Sequence, residues 1–475
     1  MIWKTAWKNV WRNRVRSLVV ISSVIVGVFA GVFSIALMNG LIAQRVNDAL
    51  NEEISDIQIT RKDFRVNYDP RMIIENPAVT LSEIKSVEGI AGASDRIIIT
   101  GMANTAYKST GVQIIGIDPK KEKQVLNLYS KLVPGTGDYF EKESKLNPAL
   151  IGEDLAKELN IVRYTIDSAV LDHLRGDNLP EELIDKLIPF KGKRFTNEKQ
   201  FIKEMKSVIN SQETKKYGQL VTKAAGSFRE GARLTLTFLD KDNNQVGAVF
   251  RVTGLYSVSN SVFEKSTIFV KSSDLLRLTG LPANSCHEIV IRISNLDQPE
   301  SITDSLAAKL PDLEVLSWKK LQPELAMMTD LVQQFYLIFG IIILAALAFG
   351  IVNTMLMVVL ERTRELGMLT AIGMNKRRVF SMIMLESVFL SLTGGIAGMI
   401  ISYIVIRITS NTGINLSQYA EGFGAFGYSA IVYPQITAGF FGVITILIII
   451  TGVISSIYPA MKALKLNPVE AIRAE

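Results

Sequence analysis

The chain has 475 residues, a formal net charge of +6 and 48% hydrophobic residues, and its mean hydropathy of +0.25 is high for a soluble domain. Its single cysteine, Cys286, excludes an intrachain disulfide and a thiolate metal cluster. The positive excess lies beside apolar segments, so it points to anionic lipid head groups rather than to nucleic acid.

In chain order, residues 1–16 place Trp3, Trp7, Val10 and Trp11 at helical spacing among Lys4, Lys8, Arg12 and Arg14. The pattern predicts an amphipathic helix on the cytoplasmic membrane surface, with a plain stop-transfer flank as the alternative. No charge occurs from Ser17 to Gln44, enough to span a bilayer as a helix over residues 17–42. Ser34-Ile35-Ala36 could pass for a signal-peptide cleavage site, but the apolar run exceeds the usual length, so a retained span is expected.

Residues 43–330 alternate between strand and helix signals and predict a mixed α/β extracytoplasmic domain with its own core. Leu234, Leu236 and Phe238 share one strand face, as do Ile289, Ile291 and Ile293, while Val112–Ile117 ends in the turn pair Asp118-Pro119. Within this region, residues 162–230 are polar and helix-prone, with nine basic against three acidic residues from Lys186 to Lys216. They read as an inserted helical module, either a solvated elaboration or a surface for a partner.

Three further spans are expected at residues 331–360, 379–406 and 435–458. The span 379–406 contains one charge, Glu386. The short external loop 407–434 carries Tyr419, Phe423, Phe426, Tyr428 and Tyr433, as an interfacial aromatic belt does. The N-terminal segment, the loop 361–378 and the C-terminal tail 459–475 together hold thirteen Lys/Arg against four Asp/Glu. Basic residues in short flanks stay inside, which predicts cytoplasmic termini and a cytoplasmic middle loop. The resulting fold class is four transmembrane α-helices with a large α/β domain between the first and second.

No catalytic constellation is present. The sequence has no G-x-x-x-x-G-K-[ST] phosphate loop, and His173 and His287 stand without H-E-x-x-H or a partnered nucleophile. The informative segment is the middle loop, where charged first turns precede Leu366, Met368, Leu369 and Ile372. These predict a short helix with an apolar ridge that can seat in a groove on another protein, ended by Gly373. In the third span, Gly394, Gly395 and Gly398 provide small residues for close helix packing, and Glu386 is expected to meet a polar group between helices.

Glu361, Arg362, Glu365, Leu366, Gly367, Ala371, Ile372 and Gly373 resemble the E-R-x-x-E-[IL]-G-x-x-[RK]-A-[IL]-G loop of the MacB/FtsX-like permease superfamily of ABC transporters, with Thr370 replacing its usual basic residue. Leu385-Glu386 with the trailing glycines, the basic lead-in Trp7 to Ser17, and Tyr458-Pro459-Ala460 followed by Asn467-Pro468, Ala471 and Arg473 are similar to other family segments. The resemblance implies that this loop, including Arg364 and Met368, is a coupling helix that docks into a cytoplasmic ABC ATPase dimer.

On that resemblance the chain is a non-catalytic permease of the bacterial inner membrane, with ATP and Mg bound by the ATPase and none directly by itself. A second permease, copy or paralogue, and membrane lipids would be its neighbours. Leu37-Met38-Asn39-Gly40 resembles the lipoprotein-releasing permeases, implying a periplasmic protein or lipoprotein cargo. Macrolide or peptide efflux, control of cell-wall hydrolases, and a four-span receptor or scaffold remain open.

Overall fold

The computed structural model describes residues 2–12, 14–141, 146–177, 179–195, 198–228, 231–294 and 299–464. Pro468, Ala471 and Arg473 of the C-terminal signature lie outside the described residues. The chain forms two compact units, one of Met1–Gln44, Met327–Gln418 and Ala430–Glu475, the other of Arg45–Ala326 with Tyr419–Ser429.

Among the described residues, four helices are long and apolar enough to cross a membrane: Ser17–Ile54, Pro323–Glu361, Lys376–Thr412 and Gly439–Leu464, the first and second of which have one end in the second unit. The first three extend beyond their expected bounds, whereas the fourth begins at Gly439, after the expected start at 435, and runs on to Leu464. Composition marks only the hydrocarbon segment, whereas the backbone ladder continues through polar residues beyond it. Val20, Val24, Val28 and Val32 of the first span recur every fourth residue and are buried, as are Ile351, Met355 and Val359 of the second. This spacing keeps one helical stripe toward the bundle.

The glycines of the third span set its close approaches. A Cβ at Gly394 would stand 2.7 Å from Val24 Cβ, and one at Gly398 3.0 Å from Val28 Cβ, so both face the first span. At Gly395 it would meet Ile448 of the fourth span at 2.7 Å. The segment entering the fourth span is fixed by hydrogen bonds from Asn39 Nδ2 to Gln435 O (3.2 Å) and from Gln44 Nε2 to Ile431 O (3.0 Å).

The described strands are β1 Ile57–Arg61, β2 Ile74–Glu75, β3 Ile90–Asn104, β4 Ser109–Ile117, β5 Asn147–Gly152, β6 Val162–Thr165, β7 Arg194–Phe195 and β8 Gly226–Phe228. They continue with β9 Arg233–Leu239, β10 Gln245–Tyr256, β11 Thr267–Lys271, β12 Ser285–Cys286, β13 Glu288–Ile293, β14 Leu313–Ser317, β15 Ile414–Asn415 and β16 Ile431–Val432. In the second unit nine of them follow the order β14-β1-β13-β3-β4-β11-β5-β10-β9. Pairing of β3 with β9 then closes β3, β4, β11, β5, β10 and β9 into a ring. Gly101 permits the closure, because a Cβ there would stand 3.0 Å from Phe238 Cβ and closer still to the Thr237 carbonyl.

Leu234, Leu236 and Phe238 of β9 all point into the core, as alternation required. The long β3 serves two partners on one edge, β13 from Ile90 to Arg96 and β9 from Gly101 to Asn104.

The inserted module is not simply helical. Helices Ser168–Gly176, Glu181–Leu187, Glu198–Lys206 and Ser211–Ala225 surround a three-stranded sheet, β7-β6-β8. Its strands have four, two and three residues, too short for a period-two pattern to register. Buried Tyr164, Phe195 and Phe201 stack at its centre, with Tyr164 and Phe201 ring centroids 5.4 Å apart. An Asn210/Glu213 capping box starts its last helix.

Candidate coupling site

Between the second and third spans the chain forms a helix over Thr363–Ala371. Gly373, with φ +94°, ends it, and Met374 N donates to Leu369 O at 3.0 Å, the six-to-one bond of a Schellman stop. The Asn375 side chain then accepts from Arg377 N at 3.0 Å and starts the third span.

The expected apolar ridge divides between two faces. Leu366 and Gly367 are buried and Leu369 is half-buried against the bundle, whereas Met368 and Ile372 are exposed, Ile372 at 86%. Helical geometry accounts for the split, since residues three apart lie on one side and residues two apart do not. Arg364, Met368 and Ile372, four apart, make an outward stripe flanked by exposed Glu361 and Ala371. Gly367 therefore serves the inward packing and is not part of the outward face.

A chain of polar contacts ties this helix to its neighbours. Arg362 Nη1 donates to both carboxylate oxygens of Glu386 at 3.2 and 3.1 Å, while its Nε donates to Glu365 at 3.0 Å. Asn9 Nδ2 donates to Glu386 at 2.5 Å, and Arg12 pairs with Glu365. Side-chain exposure rises along the chain, from 5% at Glu386 and 17% at Arg362 to 37% at Glu365 and 56% at Arg12. The Arg12 hydrogen bond holds the Glu365 carboxyl below the ordinary carboxylate range, with Arg362 adding to the effect. The N-terminal helix Ile2–Arg12, the loop helix and the third span are thus joined through five side chains.

Of the residues singled out by sequence, Arg362, Glu365 and Glu386 come together here, while Gly394, Gly395 and Gly398 sit deeper against the first and fourth spans. Asn9 and Arg12 were missed as members. Their signal was the polar side of a Trp-rich helix, which gives a face but not a partner 377 residues away for Asn9.

The lone histidines have structural settings. His173 pairs with Asp177 on an exposed helix, and buried His287 accepts from Ile98 N at 3.0 Å while stacking on Phe64. A second polar cluster lies in the other unit, where buried Arg96 contacts Glu122 at 2.5 Å and Glu288 at 3.3 Å.

Residues 337–468 match the family model for the FtsX-like permease C-terminal domain. Among curated relatives, the macrolide export ATP-binding/permease protein MacB of Chlorobium luteolum is 36% identical over 126 residues, 26% of this chain and 16% of that protein. The uncharacterized ABC transporter permease YknZ of Bacillus subtilis is 27% identical over 241 residues, 48% of this chain and 54% of that protein. The chain thus spans less than two thirds of either relative. The crystal structure of the extracellular domain of a YknZ transporter from Gram-positive bacteria aligns with TM-score 0.28 and 11% identity, over 55% of this chain and 98% of that one. Residues 337–468 thus carry an FtsX-like permease C-terminal domain, and the chain is similar to ABC transporter permeases that include MacB and YknZ.

Proposed function

We propose that the chain is a permease subunit that converts ATP hydrolysis by a separate ATPase dimer into movement of its extracytoplasmic domain. The carrying observation is the outward stripe of Arg364, Met368 and Ile372, whose opposite side is fixed to the bundle by Leu366, Leu369 and Arg362. Apolar side chains exposed on a rigidly seated helix suit a groove on a partner protein. Motion imposed on this helix would reach the third span through Arg362–Glu386 and the N-terminal helix through Glu365–Arg12. In this reading both termini and the loop helix lie in the cytoplasm, and the permease works with a second copy or paralogue.

The cargo reading favoured is export, because relatives include a macrolide exporter by name. Lipoprotein release has the Leu37–Gly40 resemblance in its favour, but Asn39 donates to Gln435 O and Gly40 packs under the Tyr433 carbonyl, which gives those residues a structural role.

With Met368→Asp/Ile372→Asp, permease-stimulated ATP hydrolysis is expected to fall about tenfold or more while membrane assembly persists. Unchanged stimulation in an assembled complex would place the docking surface elsewhere. Orientation has its own check. Cys286 is buried, so labelling background is low, and Lys265→Cys should react with an impermeant thiol reagent in sealed cells whereas Lys376→Cys should not. Reaction at position 376 would invert the topology.

A further inference from the structure

A cleft of about 530 Å³ lies in the extracytoplasmic unit at the root of the inserted module, lined by Thr105, Tyr107, Asn160, Arg163, Gly231 and Arg233 among others. Its walls are the β3–β4 turn, the link from helix Glu153–Glu158 into β6, and the start of β9. Thr105 Oγ1 donates to Leu159 O at 3.1 Å and holds two of these walls together.

The charge arrangement is unusual. Arg233 and Arg251 are direct cross-strand partners on β9 and β10, both exposed. Like charges opposite one another destabilise a sheet. Arg163 on β6 and Arg233 line the cleft, and Arg251 stands beside it. Among the described residues no carboxylate pairs with any of the three. The Arg251 guanidinium lies over Gly231, where a Cβ would stand 2.7 Å from its Nε and 2.8 Å from Nη2. A side chain there would displace it, and φ +70° at Gly231 already favours glycine.

We propose that this cleft is an oxyanion-binding site for a compact carboxylated or phosphorylated ligand, held by Arg163, Arg233 and Arg251 with Tyr107 at the rim. Three guanidinium groups offer planar, paired donors matched to carboxylate or phosphate oxygens. Their mutual repulsion, which no carboxylate among the described residues balances, is relieved when an anion enters. The volume falls within the range of small-molecule sites. The site is independent of the ATPase-docking reading, because it rests on residues of the extracytoplasmic unit alone.

The test is calorimetric titration of the full chain in detergent with citrate and, separately, with pyrophosphate at low salt. Binding of either supports the site, and the one that binds more tightly identifies the oxyanion class. Arg233→Gln/Arg251→Gln should weaken binding roughly tenfold or more. Lys191→Gln/Lys199→Gln, an equal charge change on the exposed module surface, should leave it unchanged. In the absence of ligand Arg251→Gln should raise the Tm, and the rise that ligand produces in the unmodified chain should shrink in this variant. Failure of both anions to bind at millimolar concentration, or equal weakening by the lysine control, would overturn the proposal.

Discussion

The two units each bury an arginine between carboxylates, but they expose the result differently. In the second unit Arg96 is 2% exposed and its partners Glu122 and Glu288 are 0% and 4% exposed, with Ser94 also donating to Glu122 at 2.8 Å. In the membrane unit the corresponding arginine, Arg362, leads stepwise from buried Glu386 to the half-exposed pair Glu365 and Arg12. A sealed cluster fixes one arrangement, since any opening strands a charge in a low-dielectric core. A graded one can be perturbed at its outer end without exposing its inner end.

The largest expected effect breaks the sealed cluster. Arg96→Met leaves Glu122 and Glu288 buried without their cation and should destabilise the second unit by about 3–5 kcal/mol, read by denaturant titration. A loss under 1 kcal/mol, in the sense of a surface pair, would show that the cluster hydrates readily.

Next comes Glu264, buried at the N-terminus of helix Glu153–Glu158, accepting from Asp154 N at 2.7 Å and Val258 N at 2.8 Å. Burial pushes its carboxyl up to about 7, with Asp154 and Glu153 adding to the rise. A raised folded pKa means that the protonated form is the stabilising one. Its contribution is full below the unfolded pKa near ~4.3 and is lost as pH rises through about 7, by up to ~3 kcal/mol. The Tm of the second unit should therefore decline across this window, and Glu264→Gln should flatten the slope. An unaltered slope would assign the pH response to other groups.

The smallest effects sharpen the membrane-side gradient. Arg362→Met, which strands buried Glu386, should cost about 2 kcal/mol or more of thermal stability in detergent. Arg12→Ala removes an exposed contact and should cost at most ~1 kcal/mol. Equal losses from the two variants would contradict the gradient.

Reading these features from sequence succeeded where the physics is local. Uninterrupted apolar runs marked the spans, alternation marked β9 and β13, and Gly373 marked the end of the loop helix. Partners distant in sequence were not legible. Glu386 announced a polar contact, yet nothing in its neighbourhood selects Arg362 and Asn9 over other donors. The split of the ridge into Leu366/Leu369 and Met368/Ile372 was accessible, because angular position follows from residue spacing alone. The ring closure at Gly101 was not, because a glycine within a strand signals close approach without saying to what.

The module enters and leaves the ring through its own stem, with Val162 paired to Phe228 and Tyr164 to Gly226. Chain ends held side by side let a segment lengthen, shrink or be exchanged with little change in closure entropy. In evolutionary terms this is a detachable part. Variation between the two stem strands leaves the register of β5 and β9 untouched, whereas one added residue inside β9 would turn Leu234, Leu236 and Phe238 out of the core. Diversity in length among descendants of this chain should therefore collect at the stem, while the ring remains constant.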